Sequence, residues 1–465
     1  MSSDLRIDTT PIPGLLVVHL PLHEDARGWF KESWQRQKMV ALGLPDFGPV
    51  QNNVSFNHAR GATRGIHAEP WDKFVSLATG RAFGAWVDLR EGSSFGATFT
   101  IELEPGVAVF VPRGVGNSYQ TLTDDVAYSY LVNDHWRPGV SYPALALDDP
   151  TAAIRWPIPL PECEISEKDR KNPRLDAVTP MPPRRPVVTG CRGQLGRALM
   201  TAFPDAVGID RPGTGAPVEL DLTDVAAVRT WPWHDHDVVL NAAAYTAVDA
   251  AEGEGRAEAW AANAVAPATL AEIASHHGIT LVHYSTEYVF DGIVPEHRED
   301  EPVAPLGVYG QSKAAGEVAV GTTPRHYLLR TSWLIGDGGN FVRTMARLAT
   351  DGVSPSVVDD QVGRLTFTDE LVRATRHLLD ASAPFGTYHV SNGGPATSWA
   401  QIAAEVFRLR GRQADDVTAV TTADYFAGKT MAPRPSHSAF DLAKLRATGF
   451  DPEDAFTALR RYLAG

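Results

Sequence analysis

Pro186-Val187-Val188-Thr189-Gly190-Cys191-Arg192-Gly193-Gln194-Leu195-Gly196 decides the fold of the larger part of this 465-residue chain. An apolar run ends in three spaced glycines, so a buried strand is expected to turn through Gly190, Gly193 and Gly196 into a helix over residues 197–203. Bare backbone N–H groups and the helix's positive end then face a common point, which suits a pyrophosphate. Such turns also occur as plain punctuation between strand and helix. Tyr309-Gly310-Gln311-Ser312-Lys313, preceded by Ser285-Thr286 at the end of another apolar run, adds phenol, ammonium and hydroxyl. Together these are the equipment of a carbonyl reductase.

The spacing explains the chemistry. Four residues apart on a helix, Tyr309 and Lys313 share a face, so the ammonium is expected near the phenol, favouring its ionised form. Such a tyrosine can protonate a carbonyl oxygen while a nicotinamide delivers hydride to the carbon. Thr286, at the carboxyl end of its strand, is placed to hydrogen-bond the same oxygen. At the end of the second expected strand, 207–209, Asp210 suits the adenosine ribose of NADH, while Arg211 suits the extra phosphate of NADPH.

Around this unit the chain divides. Residues 171–186 hold five prolines among few apolar residues and read as an extended spacer. The expected organisation is a β domain over 1–172, a proline-rich linker over 173–185 and a nucleotide-binding domain over 186–465. Before the linker, short β-rich runs (15–20, 73–77, 83–89, 98–103, 128–132) alternate with turn signals such as Thr79-Gly80 and Pro105-Gly106, as in an all-β barrel or sandwich. After it, apolar runs (187–189, 207–209, 238–240, 280–284, 327–330) alternate with alanine-rich helical stretches, as in a parallel doubly wound sheet.

Composition narrows the function. With 42 basic against 56 acidic residues the net charge is −14, and no basic cluster is long enough to follow a nucleic-acid backbone. The two cysteines, Cys163 and Cys191, are too few for a disulfide framework, and no Cys/His spacing suggests structural zinc. No apolar run of membrane-spanning length and no basic, apolar leader is visible. A cytoplasmic enzyme with no nucleic-acid or membrane partner is expected.

Specific stretches then carry a resemblance. Asn241-Ala242-Ala243-Ala244-Tyr245-Thr246-Ala247-Val248-Asp249, Ser285-Thr286-Glu287-Tyr288-Val289-Phe290-Asp291-Gly292, Tyr309 to Glu317, Arg330-Thr331-Ser332-Trp333 and Asp359-Asp360-Gln361-Val362-Gly363 resemble dTDP-4-dehydrorhamnose reductase, an extended short-chain dehydrogenase/reductase with a Rossmann fold. The resemblance implies reduction of the C4 ketone of a nucleotide-linked 6-deoxyhexose with NADPH or NADH. It implies Thr286, Tyr309 and Lys313 as catalytic, with Tyr309 and Lys313 also touching the cofactor. Gly190, Gly193, Gln194, Leu195, Gly196, Asp210, Arg211, Asp221, Ala242, Ala243 and Tyr245 fall to the cofactor, and Thr246, Val248, Trp333 and Arg434 to the substrate. Glu287 stands where that family usually has Asp, and His437 where it has Asn.

The first half carries its own resemblance. Asp25-Ala26-Arg27-Gly28-Trp29-Phe30, Arg64-Gly65-Ile66-His67, Pro105 to Pro112 and Ser166-Glu167-Lys168-Asp169 are similar to dTDP-4-dehydrorhamnose 3,5-epimerase, a cupin-like jelly roll. By itself His67-Ala68-Glu69 could also be half of a cupin metal site, although no second His-containing strand follows at suitable spacing. The resemblance implies no metal. It makes His67 the base that removes acidic protons beside the ketone, Asp169 its partner, Lys73 the group facing the enolate and Tyr130 the acid on the opposite side. Arg27, Gln51, Asn53 and Arg64 are implied for the nucleotide diphosphate.

Here too the chain departs from its family. Asn117 replaces a histidine, Ala68-Glu69 a Tyr-Gln pair and His135-Trp136 a Tyr-Tyr pair. The expected whole is a bifunctional enzyme giving dTDP-L-rhamnose or a close relative, dimeric through its β domain. Alternatives are a reductase whose β domain only binds nucleotide sugar or dimerises, and a pair making another deoxysugar.

Overall fold

The computed structural model describes residues 4–135, 142–428 and 431–464; Trp136 lies outside them. The chain forms two compact units, Met1–Arg184 and Arg185–Gly465.

In the first unit, ten antiparallel strands build two facing sheets. Arg6–Thr9, Leu16–His19, Val107–Val111, Lys73–Thr79, Val126–Val132 and Gln51–Asn57 pair in that order, opposite Thr63–His67, Val115–Thr121, Ala82–Asp88 and Thr98–Leu103. This is the expected jelly roll. The central strand Lys73–Thr79 is buried on both faces: Val75 and Leu77 face Trp86, Val109 and Tyr128 between the sheets. Phe74, on its other face, packs under Met39, Leu44 and Phe47 around the short helix Arg36–Ala41. Strands covered on both faces become continuously apolar rather than alternating.

The proline stretch is not a free spacer. Leu175 and Val178 sink into the cluster of Ile66, Val87, Leu89 and Leu145, and Met181 N donates to Leu89 O while Met181 O accepts from Glu91 N. Three interspersed apolar side chains give the segment a buried edge, which outweighs the stiffness of its prolines.

In the second unit, seven parallel strands run in the order Val218–Glu219, Val207–Asp210, Arg185–Thr189, His236–Asn241, Thr280–Thr286, His326–Thr331 and Gly386–Val390. The chain order reverses between Arg185–Thr189 and His236–Asn241, and ligands of such sheets bind outside the carboxyl ends at that point. Leu199, Leu240, Val282 and Leu371 fill one apolar cluster at the sheet, while Ile209, Val239, Leu270 and Leu281 fill another. A third cluster joins the helices Phe341–Thr350, Trp399–Leu409 and Ala455–Ala464. Among the described residues no helix is long and apolar enough to cross a membrane.

Leu175→Ala tests the docking of the proline segment. A cavity left in a packed cluster is expected to cost about 2–5 kcal/mol, read as a lower midpoint for unfolding of the first unit. An unchanged midpoint would restore the extended, semi-rigid spacer.

Candidate active sites

The first site lies on the strand Thr63–His67. His67 is partly exposed, and its Nε2 meets Asp169 Oδ1 at 2.7 Å. Asp169 sits on a short 3-10 turn, Asp169–Lys171, with Gly65 N donating to its other oxygen at 3.3 Å. Burial raises the Asp169 carboxyl, but hydrogen bonds from His67, Gly65 and Ser166 and the imidazole charge outweigh it and hold the carboxyl below its ordinary range. Antiparallel register sets Asn117 directly opposite His67. The Asn117 amide oxygen accepts from Tyr128 at 2.9 Å, and the Tyr128 ring stacks on Tyr119 at 4.0 Å.

Lys73 is buried and ion-paired with Glu69. Burial, then the Glu69 carboxylate, pushes the Tyr130 phenol up, so Tyr130 holds its proton near neutral pH. Arg64 donates to Asn57 at 3.1 Å, and Gln51 to Asn53 at 2.7 Å. Arg27 stands apart on the exposed hairpin His23–Asp25 and Gly28–Phe30, paired with Asp25 at 2.5 Å.

The second site is a cleft of about 920 Å³. Its lining brings together Gly193, Gln194 and Leu195 of the glycine turn, Thr286, Tyr309 and Lys313, and Ala242, Thr246, Val248, Trp333 and Arg434. The glycine turn fits a dinucleotide. A side chain at Gly196 would lie 2.0 Å from Gly190 O, and one at Gly190, where φ is +64°, would lie 2.7 Å from Ala243 N. The helix begins three residues earlier than expected, at Gln194, and its N-cap Gly193 offers no side-chain cap, so its first N–H groups stay open to an anion.

Tyr245 and Ala243 flank this cleft without lining it; Tyr245 N donates to Asn263 at 2.9 Å. Asp210 accepts from Arg192 N and Arg211 N at 2.9 and 2.8 Å, with Arg211 exposed beside it. Asp221 closes a local turn on Thr223 at 2.9 Å.

One expectation is corrected. The Lys313 ammonium does not turn to the Tyr309 phenol; it donates to Tyr284 O at 2.6 Å and faces His283 Nε2 at 3.5 Å. Burial pushes the Tyr309 phenol up, and the Glu287 carboxyl adds to this, so Tyr309 is a held proton rather than a ready phenolate. Burial also brings Lys313 down to about 8 against the pull of Glu317. Glu287 is buried and accepts from the Thr286 hydroxyl at 2.8 Å. Burial raises its carboxyl from the ordinary 4.5 to about 7.

A family model described as RmlD substrate binding domain matches residues 184–465, and one described as dTDP-4-dehydrorhamnose 3,5-epimerase matches residues 9–177. A Streptococcus pyogenes serotype M6 protein named as an RmlC homolog is 45% identical over 180 residues, covering 37% of this chain and 90% of that protein. The chain belongs to both families. Its RmlD part is 41% identical over 284 residues to a dTDP-4-dehydrorhamnose reductase of Streptomyces griseus, covering 59% of this chain and 91% of the relative. The Bacillus anthracis str. Ames dTDP-4-dehydrorhamnose reductase, solved in complex with NADP, matches with a TM-score of 0.54 at 33% identity, over 60% of this chain and 98% of its own.

The RmlD cleft also holds residues that spacing did not disclose. Trp399 stacks on Trp333 at 3.9 Å, and Arg434 lies over Phe426 at 5.6 Å while pairing with Asp249 at 3.1 Å. Trp399 opens an amphipathic helix, where an aromatic reads as ordinary core. Nothing local marks it as cleft wall.

Glu287 yields a pH test. Unfolded, it ionises near 4.5; folded, it keeps its proton until about 7, so rising pH across that window weakens folding. Glu287→Gln should therefore raise the melting temperature of the RmlD unit at pH 8 relative to the unmodified protein, and not at pH 4. An equal difference at both would show that this carboxyl ionises normally.

Proposed function

We propose that this chain epimerises a dTDP-4-keto-6-deoxyhexose in its first domain and reduces the C4 ketone of the product in its second, giving dTDP-L-rhamnose. Two complete catalytic sets in separate folds carry the reading: the 2.7 Å His67–Asp169 pair, and Thr286, Tyr309 and Lys313 in one cleft beside an open glycine turn.

Protons on carbons beside a ketone are acidic, and a neutral imidazole can remove one if the enolate is stabilised. Asp169 binds His67 Nε2, which leaves Nδ1 for the sugar proton and stabilises the imidazolium that forms. Lys73 brings positive charge to the enolate oxygen, tempered by Glu69. Tyr130, held protonated, returns a proton to the other face, which completes inversion. Arg64, Gln51 and Asn53 bind the diphosphate; Arg27, apart on its exposed hairpin and paired with Asp25, does not join them within this arrangement.

In the second domain Tyr309 donates its proton to the ketone oxygen and Thr286 hydrogen-bonds that oxygen, while Lys313, anchored on the Tyr284 carbonyl, brings positive charge to the same cleft. When bound, the reduced dinucleotide supplies hydride to C4. Gly190, Gly193, Gln194, Leu195 and Gly196 would hold its pyrophosphate, with Ala242, Ala243 and Tyr245 beside it. Asp210, Arg211 and Asp221 lie on the adenosine side, and Thr246, Val248, Trp333 and Arg434 face the sugar nucleotide. Each Asp210 carboxylate oxygen accepts one backbone N–H and keeps a lone pair for a ribose hydroxyl, and exposed Arg211 suits a 2′-phosphate, so NADPH and NADH both serve. Cytoplasmic placement agrees with two buried free cysteines. A homodimer through the β domain is supported by exposed Val54 and Phe56 on the edge strand Gln51–Asn57 and by exposed Phe30.

Single variants separate the two activities. Tyr309→Phe should lower reduction by about two to four orders of magnitude, while exchange of sugar protons with deuterated water continues. His67→Ala should abolish exchange yet still reduce ketone epimerised beforehand. Absent exchange in the unmodified protein would demote the β domain to a binding module.

Arg211→Ala should lower kcat/KM for NADPH by about 10- to 100-fold, the worth of one charged hydrogen bond, and leave NADH nearly unchanged. Equal loss with both dinucleotides would remove Arg211 from the phosphate site.

A further inference from the structure

A row of polar side chains lies beneath the reductase cleft. Thr189, Asn241 and His283 are Cα partners across three neighbouring parallel strands. Thr189 Oγ1 donates to Asn241 Oδ1 at 2.6 Å, Asn241 Nδ2 reaches His283 Nδ1 at 2.9 Å, and His283 Nε2 faces Lys313 Nζ at 3.5 Å. At the same level the next strand offers Leu328, so the row stops there. Thr189 directly precedes Gly190 of the glycine turn, and its carbonyl accepts from Ala242 N.

Burial sets what the row can do. Thr189 and His283 are 0% exposed, and Asn241 and Lys313 2%. Thr189, Asn241 and His283 are closed off from water and reach the cleft only through Lys313, so the row is no route for protons to bulk solvent and its role is orientation. Glu317, the carboxylate one turn along the helix from Lys313, is taken by Arg330 at 2.7 Å. Lys313 is thus held by a carbonyl and an imidazole. Burial, then the Lys313 charge, keeps His283 well below its ordinary range and hence neutral.

A neutral ring with an amide behind it can serve either form of the lysine. With Asn241 Nδ2 toward His283 Nδ1, the ring proton sits on Nε2 and meets a neutral amine. With the amide turned over, the ring proton sits on Nδ1 and Nε2 accepts from the ammonium.

We propose that Thr189, Asn241 and His283 are positioning residues for ketone reduction, holding Lys313 at one place in either charge state and tying it to the turn that carries the dinucleotide phosphates. The inference rests on the reductase reading above. A lysine displaced by about 1 Å can cost about a hundredfold in rate.

The test uses the full chain with ketone epimerised beforehand. His283→Leu should lower kcat for reduction by about a hundredfold with KM for the ketone nearly unchanged, and His283→Gln, which keeps a polar partner, should recover most of it. Proton exchange in the β domain should be unaffected. Thr189→Val, close in shape, should lower kcat by about three- to tenfold and add little to His283→Leu, because coupled residues are non-additive. Unchanged kcat in His283→Leu, equal loss in His283→Leu and His283→Gln, or independently multiplying losses would overturn the row. Should His283→Leu fail to fold, Thr189→Val decides, and unchanged kcat there overturns it. Full reduction by Tyr309→Phe would instead overturn the reductase reading.

Discussion

Strand register is the constraint on which both sites depend. In the first domain, antiparallel pairing sets His67 opposite Asn117, and one residue of slip would send these side chains to the other face. In the second, parallel pairing aligns Thr189, Asn241 and His283 beneath Lys313. The apolar clusters on both sides of that sheet fix the register, because a slipped strand would bury its polar residues among Leu240, Val282 and Leu281 without partners.

Burial then decides how the ionisable groups behave. Asp169 keeps its charge although buried, because the His67 imidazole, Gly65 N and the Ser166 hydroxyl stabilise it. Glu287 lies deeper, has only the Thr286 hydroxyl and backbone donors, and its carboxyl rises to about 7. Two carboxyls thus titrate differently by virtue of their depth and their neighbours. Tyr130 and Tyr309 are both pushed up by burial, with a glutamate adding to it, and both stay protonated near neutral pH.

Local pattern made much of this legible. Glycine spacing marked the turn at Gly190, strand length and alternation separated the β half from the α/β half, and Thr286, Tyr309 and Lys313 do line one cleft. The proline stretch misled because its composition speaks of stiffness, whereas Leu175, Val178 and Met181 find an apolar surface formed by distant strands. Trp399 escaped notice because helical periodicity does not distinguish a side chain facing core from one facing a cleft. Helical spacing put Tyr309 and Lys313 on one face, yet the Tyr284 carbonyl on a separate strand draws the ammonium away.

By itself, the amino-acid sequence determined the two fold classes, the glycine turn and the candidate side chains for chemistry, since these follow from backbone conformational preference and functional-group chemistry along short stretches. Tertiary structure alone decided which of those groups meet, which carboxyl keeps its charge and where the lysine points. These depend on distances between residues far apart in the chain, such as the 102 positions separating His67 from Asp169, and on the low dielectric that packing creates around them.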